Sequence, residues 1–319
     1  MRVYVHGNCQ APVIASMISD QFPDWQVSSY EVFNTSIIAE IDRYHELVEA
    51  ADIIISQPIQ DKYREREDLS LSWVRAAAKP GAALVVFPSM HFDGQLAGWR
   101  SVPITGYGMP YHDMLLFHLT TTELSAEQIV ALLLDENLYS ETFVLQEIAL
   151  AIAEMRRREA AHKIDVPLSP FLDEHGRQTQ LFHIINHPCR PALAYITNGA
   201  LGHLGYPGNV PSDGRRYLPF PRVPLAPAVA RHVQKLHPAG WQAEDREQFH
   251  LIKETLTRAE YYLRAVTTLR QQPSENVMAC LKSAHAVPFL ARLATAHPEL
   301  PGIAMWQRPT APAKASVPA

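Results

Sequence analysis

The sequence predicts an α/β protein: a small parallel-sheet α/β subdomain over residues 1–122, a mainly helical part over 123–308, and a disordered tail over 309–319. Three observations predict it. Short apolar runs at residues 3–5, 53–55 and 83–87 alternate with segments of helical period, the signature of successive strand–helix–strand units. The second and third runs are apolar throughout, as for parallel strands covered on both faces. Beyond Ser125 the periodicity is helical.

Residues 2–6 alternate and are rich in β-branched and aromatic side chains, so they read as a strand running into Gly7-Asn8-Cys9-Gln10. A helix follows at once: Pro12 stands where a first-turn proline belongs, and Val13, Ile14, Met17 and Ile18 recur at helical spacing. Helical period continues over 37–50, a strand over 52–56, and a helix over 70–78 closed by Lys79-Pro80-Gly81, before the strand at 83–87. Helices are expected over 125–134 and 140–161, the second charged on one side through Arg156, Arg157, Arg158 and Glu159. The polar cluster Asn186-His187-Pro188-Cys189-Arg190 leads into another helix, and 199–227 is a loop-rich stretch dense in Gly, Pro and aromatics. A long amphipathic helix is expected over 244–270, then a helix over 274–296 broken at Pro288. The tail of Pro, Ala, Ser and Lys has too little apolar surface to fold.

Composition narrows the class. The 319 residues are 47% hydrophobic and 19% charged, which suits a globular protein. A net charge of -5 without a basic stripe excludes a general nucleic-acid binder. Three cysteines, at 9, 189 and 280, make neither a disulfide framework nor a paired metal motif, which favours a reducing compartment. No charged and apolar leader opens the sequence, and no apolar run approaches ~18 residues, so a cytoplasmic protein without a membrane span is expected.

Ligands of parallel sheets sit at the carboxyl ends of the strands. Those ends carry Gly7-Asn8-Cys9-Gln10, Ser56-Gln57-Pro58-Ile59 and Pro88-Ser89-Met90-His91-Phe92-Asp93-Gly94. Cys9 lies on a strand-to-helix turn, where a helix dipole lowers a thiol's pKa and free backbone N–H groups hold an oxyanion; the same place suits a cysteine packed as a small hydrophobe. A thiol is activated by a nearby imidazole. His112 or His91 is the expected base, with Asp113 or Asp93 orienting it. Metal-ligand spacing is absent, so no metal is expected. There is no Walker loop, and Gly199 to Gly205 follows a helix rather than a strand, which fails the test for a dinucleotide site. Arg215, Arg216 and Arg222 around Tyr217 and Phe220 offer phosphate forks and stacking faces, or are surface arginines on an irregular loop.

Taken in order, Gly7-Asn8-Cys9-Gln10, Gln57-Pro58-Ile59, Phe87-Pro88 with Phe92-Asp93-Gly94, Tyr111-His112-Asp113 and Asn186-His187-Pro188 resemble the WcbI-type polysaccharide-biosynthesis family, over residues 3 to about 290. That resemblance implies a cytoplasmic enzyme of capsular polysaccharide synthesis that binds coenzyme A, uses acetyl-coenzyme A and O-acetylates a sugar, nucleotide-sugar or polysaccharide acceptor. It implies a cradle-like fold, an α/β subdomain embedded in a larger helical arrangement, with coenzyme A held in the loop–helix part; Asn186, His187, Arg190, Arg215, Arg216, Tyr217 and Arg222 are the candidates to hold it. Gly7, Asn8, Gln10 and Gln57 are the candidates for oxyanion and substrate contacts. The opening strand–turn–helix also looks like that of the SGNH esterases, with Cys9 where those carry serine; their terminal Asp-x-x-His pair is not visible. A carbohydrate esterase or deacetylase, and a non-catalytic module binding coenzyme A or a nucleotide, are the alternative readings.

Overall fold

A computed structural model describes residues 1–34, 36–102, 109, 111–213, 217–218, 220–233 and 247–307. The chain opens with β1 (Arg2–Gly7), α1 (Gln10–Gln21), β2 (Gln26–Glu31), α2 (Ser36–Ala39), α3 (Ile41–Ala50), β3 (Ile53–Ser56), α4 (Leu71–Ala77) and β4 (Ala83–Val86). The four strands form one parallel sheet in the order β2-β1-β3-β4. The path leaves β1 toward β2 on one side and returns to place β3 on the other. The carboxyl ends of β1 and β3 are therefore the switch point at which such sheets bind ligands.

From Val3 onward every residue of β1 is buried. On one face Tyr4 and Ile54 pack with Tyr44 and Val48 of α3, Val74 of α4, and Leu69. Each such side chain contributes about 1.5–3 kcal/mol by leaving water. The opposite face of the sheet is covered by α1.

Two expectations are corrected here. The helical segment 37–50 is two helices, parted at Glu40 (φ -117°, ψ 28°), whose carboxylate accepts a hydrogen bond from Tyr30 Oη at 2.5 Å. β2 was not predicted at all: it is an edge strand without a fully buried residue, so Val27 and Tyr30 alternate with nothing stronger than serines.

The chain continues with β5 (Trp99–Arg100), paired antiparallel with β6 (His112–Asp113), then α5 (Met114–Thr120), α6 (Ala126–Leu133) and the 22-residue α7 (Glu141–His162). There follow α8 (Ser169–His175), the hairpin of β7 (Phe182–Ile184) and β8 (His187–Pro188), and α9 (Arg190–His203). The last part holds α10 (Pro227–Val233), the hairpin of β9 (Gln248–His250) and β10 (Thr255–Thr257), α11 (Arg258–Arg270), α12 (Ser274–Leu281), α13 (Ala286–Ala296) and a 3-10 turn at Ile303–Trp306.

The long helix expected over 244–270 begins only at Arg258, with residues 244–246 outside the described residues. Thr257 and Glu260 form a capping box: Thr257 Oγ1 accepts the Glu260 N–H at 3.2 Å and Glu260 Oε2 accepts the Thr257 N–H at 2.8 Å. That reciprocal cap ends the helix and lets β10 precede it. The break expected at Pro288 falls instead between Leu281 and Ala286, and Pro288 sits in the first turn of α13, where a missing N–H costs nothing.

Among the described residues the chain divides into two compact units. The first is Met1–Phe92 with Ala151–Pro219, built on the parallel sheet; the second is Asp93–Leu150 with the described residues from Phe220 onward, mostly helical. No single helix among the described residues is long and apolar enough to cross a membrane.

Candidate functional site

The turn after β1 is held by two fully buried glutamines of the first unit. Gln57 Oε1 accepts the Asn8 N–H at 2.8 Å, and Gln57 Nε2 donates to Gln10 Oε1 at 2.7 Å. Gln10 Nε2 donates to the carbonyls of Met90 and Asn186, both at 2.8 Å, while Gln10 Oε1 also accepts the Met90 N–H at 3.1 Å. One amide thus ties the carboxyl end of β1 to the segments after β4 and β7. Both glutamines were expected among the oxyanion and substrate contacts; here their side chains hold the loops together. Gly7 is required by the same packing, since a Cβ there would stand 2.5 Å from Gln57 Oε1.

Counting donors at the start of α1 shows what remains for a ligand. Asn8 N–H goes to Gln57, Gln10 N–H to Asn8 Oδ1 at 3.0 Å, Ala11 N–H to the Asn8 carbonyl at 2.9 Å, and Pro12 has none. Two donors remain at the turn: the Cys9 N–H, which faces its own sulfur, and Asn8 Nδ2, whose contact with Ser89 Oγ is a long 3.5 Å. Because Asn8 Oδ1 is fixed by the Gln10 N–H, the amide orientation follows, and Nδ2 points away from the helix. A cavity of about 90 Å³ opens beside Ser89, lined also by Pro58, Pro88, Met155, Arg158, His162 and Ile164.

The thiol departs from expectation. Burial pushes the Cys9 thiol up to about 11, with the Glu31 carboxylate adding to the rise; the bond from its own N–H opposes both and loses. Glu31 reaches Cys9 through strand pairing: it is the register partner of Gly7, and the next residue, Val32, donates its N–H to the Gly7 carbonyl at 3.0 Å. The sequence reading missed Glu31 because it missed β2. The signal available was the final residue of a second strand in a strand–helix–strand unit.

Among the expected site residues, Asn186 and His187 come to the same network through the Gln10–Asn186 bond. Asn186 Oδ1 and His187 Nδ1 are buried without a hydrogen-bond partner among the described residues, and burial lowers His187 to about 4, so the ring is neutral. Such atoms are costly unless something pairs with them. His91 belongs to the first unit, where its carbonyl accepts from Arg158 Nη2 at 2.7 Å. Asp93, His112 and Asp113 belong to the second. There Asp93 is ion-paired with Arg100 at 2.9 Å. Asp113 caps α5, its Oδ1 accepting the Leu115 N–H at 2.8 Å, and burial raises its carboxyl to about 6. His112 is buried against Phe117, ring centroids 5.7 Å apart.

Arg190 Cζ lies 5.2 Å from the centroid of the Tyr217 ring and Arg190 Nε donates to the Pro211 carbonyl at 2.9 Å, so Tyr217 is buried and its ring is covered. Arg222 lies in the second unit, buried and bridged through its backbone to His250 at 2.9 Å. Arg215 and Arg216 fall outside the described residues. No group of three or more potential metal ligands occurs among the described residues.

A parallel α/β unit with a cysteine and unspent amide and imidazole atoms at its switch point belongs to the α/β enzymes that handle a ligand at strand ends. The family model described as "Polysaccharide biosynthesis enzyme WcbI" matches residues 2–209, and the chain belongs to that family. The fold is similar to the solved structure of WcbI, a polysaccharide biosynthesis enzyme, described as the native protein without a disulfide bond between coenzyme A and one of its cysteines. The TM-score is 0.74 at 20% identity, over 96% of this chain and 97% of that one. No curated protein matches the chain.

Proposed function

We propose that this chain is a coenzyme-A-dependent O-acetyltransferase acting on a sugar in capsular polysaccharide assembly. The observation that carries the reading is the donor count at the β1–α1 turn: the Asn8, Gln10 and Ala11 N–H groups are spent, and Asn8 Nδ2 and the Cys9 N–H, which turns only to its own sulfur, are placed to receive an oxyanion. The orphaned Asn186 Oδ1 and His187 Nδ1 fit a bound polar ligand on the β7–β8 turn, and they are the residues that would hold coenzyme A, with Arg190 following in the first turn of α9. Acetyl-coenzyme A supplies an acetyl thioester there. The description of the similar WcbI structure in terms of coenzyme A supports that choice.

Direct transfer to the sugar hydroxyl fits this site better than an acetyl-cysteine relay. A thiol at about 11 leaves roughly one molecule in ten thousand as thiolate at pH 7, too little for a nucleophile unless a base removes its proton in the step. Asn8 and the Cys9 N–H then stabilise the tetrahedral oxyanion, and Gln10 and Gln57 keep the turn in place.

Thermal unfolding with coenzyme A, acetyl-coenzyme A and adenosine 3′,5′-bisphosphate tests the reading, because a ligand that binds the folded state raises Tm by mass action. A rise with all three is expected, together with labelled acetyl appearing on saccharide. No rise at millimolar ligand, with acetyl release from acetylated saccharide, is the carbohydrate esterase. A rise without turnover is the non-catalytic module.

A further inference from the structure

Beyond the turn itself, the end of β2 carries groups that the donor count leaves unused. Glu31 closes the strand opposite Gly7, and its carboxylate has no hydrogen bond or ion pair among the described residues. Val32 is buried, Glu31 is half-buried and Phe33 is 41% exposed. The Phe33 carbonyl is in turn bound by Arg64 Nη1, which brings a guanidinium from the segment after β3 to the same turn. Arg64 itself has φ +53°, and its neighbours Lys62 and Glu65 have φ +56° and +65°. All three are non-glycine residues in the left-handed region, a conformation that persists only where surrounding structure holds it.

An exposed aromatic face beside a carboxylate and a guanidinium is the chemistry that recognises a neutral sugar ring. The ring's C–H face packs on the arene, and its hydroxyls bond to planar charged groups. The local charges are mixed, with Lys62, Arg64 and Arg66 set against Asp61, Glu65, Glu67 and Asp68, and Arg66 is already paired with Asp68. A phosphate would meet no net positive field there, whereas a neutral ring meets both donors and acceptors.

We propose that the end of β2 is the acceptor subsite, in which a neutral pyranose stacks on Phe33 and presents one hydroxyl to Glu31 beside the Cys9 turn. This rests on the acetyltransferase reading and adds to it the class and place of the acceptor and the base. In the step, Glu31 takes the hydroxyl proton as the sugar oxygen bonds to the acetyl carbonyl carbon. The carbon–sulfur bond then breaks, and the leaving sulfur receives the proton from Glu31. Hydroxyl and thioester become ester and thiol, with no redox change and no further reactant.

Saturation-transfer NMR with the methyl pyranosides of glucose, galactose and mannose tests the subsite apart from turnover. Wild-type protein should transfer saturation to the ring protons of at least one glycoside, and Phe33→Ala should reduce it at least fivefold. Glu31→Gln should keep the binding but lower acetyl transfer by about 10²–10⁴-fold, the range of a general base. Both variants should keep the coenzyme A thermal shift. Saturation transfer to none of the three, or undiminished transfer in Phe33→Ala, overturns the subsite. Full acetyl transfer by Glu31→Gln overturns the base. Loss of the coenzyme A shift in wild-type protein would instead overturn the acetyltransferase reading.

Discussion

Gln57 Oε1 stands 2.5 Å from where a Cβ on Gly7 would be, and the same oxygen accepts the Asn8 N–H at 2.8 Å. The end of one amide side chain therefore sets both which residue can occupy the turn and how its backbone is held. The oxygen belongs to a flexible side chain, but it has nowhere to go: Gln57 is fully buried and its other end is bonded to Gln10. Gly7→Ala is expected to displace Gln57 and break the Asn8 bond, at about 1–3 kcal/mol. Urea unfolding with an unchanged m-value and a lowered midpoint would show it.

Gln10 is the hub of that network. Gln10→Leu keeps the volume but strips partners from the Met90 N–H, the Asn186 carbonyl and Gln57 Nε2, all buried or half-buried. Unpaired buried polar groups cost about 1–3 kcal/mol each, so a loss of about 3 kcal/mol or more is expected in the same unfolding experiment. A loss below about 1 kcal/mol would mean that the loops are held by something other than this amide.

The thiol gives a prediction in alkaline solution. With Cys9 at about 11, its alkylation by iodoacetamide should keep rising through pH 10, well past the range of an ordinary cysteine. Removing the neighbouring charge in Glu31→Gln should lower the midpoint, leaving burial as the main cause. The stability sign follows: the folded pKa is raised above the unfolded value of 9.0, so the contribution is present below pH 9 and is lost as pH climbs toward about 11.

Acid acts on His6. Its Nε2–H donates to the Leu69 carbonyl at 3.0 Å, the ring is fully buried, and burial holds its pKa down at about 4. The folded pKa is depressed, so stability is present above the unfolded value of 6.5 and drains away as pH falls toward 4. Full linkage is worth about 3 kcal/mol. Asp113 runs the opposite way: its carboxyl is raised from 3.8 to about 6 by burial, so its contribution to stability is present below the unfolded value and is lost as pH rises toward about 6. Unfolding free energies from pH 7 to 4 should fall in the wild type, and fall more steeply in Asp113→Asn than in His6→Gln.

Much of the sheet-bearing unit was legible because its signals are local. Gly7, Pro12 and the spacing of Val13, Ile14, Met17 and Ile18 specify strand, turn and helix within eighteen residues, and β3 and β4 announce themselves as apolar runs. What escaped depends on partners distant in sequence. The half-buried β2 has no apolar stripe, so Glu31 went unseen; the rise in the Cys9 pKa needs both burial and that strand. Gln10 and Gln57 look like ligand contacts in sequence because nothing there shows that each is the other's partner. The capping box at Thr257 and Glu260 was readable, and it outweighed an amphipathic period that continued through the hairpin.

The most direct test of the account is the rate of acetyl transfer from acetyl-coenzyme A to saccharide in Cys9→Ala and Asn8→Asp. Asn8→Asp keeps an oxygen that accepts the Gln10 N–H and replaces the Nδ2 donor with a charged carboxylate oxygen facing the oxyanion. The account predicts that Cys9→Ala stays within about tenfold of wild type, since its backbone N–H survives, while Asn8→Asp falls by at least about 10²–10³-fold, the cost of one oxyanion donor with the repulsion of the new carboxylate added. Abolished transfer in Cys9→Ala with transfer intact in Asn8→Asp would contradict it and make Cys9 the acetyl carrier.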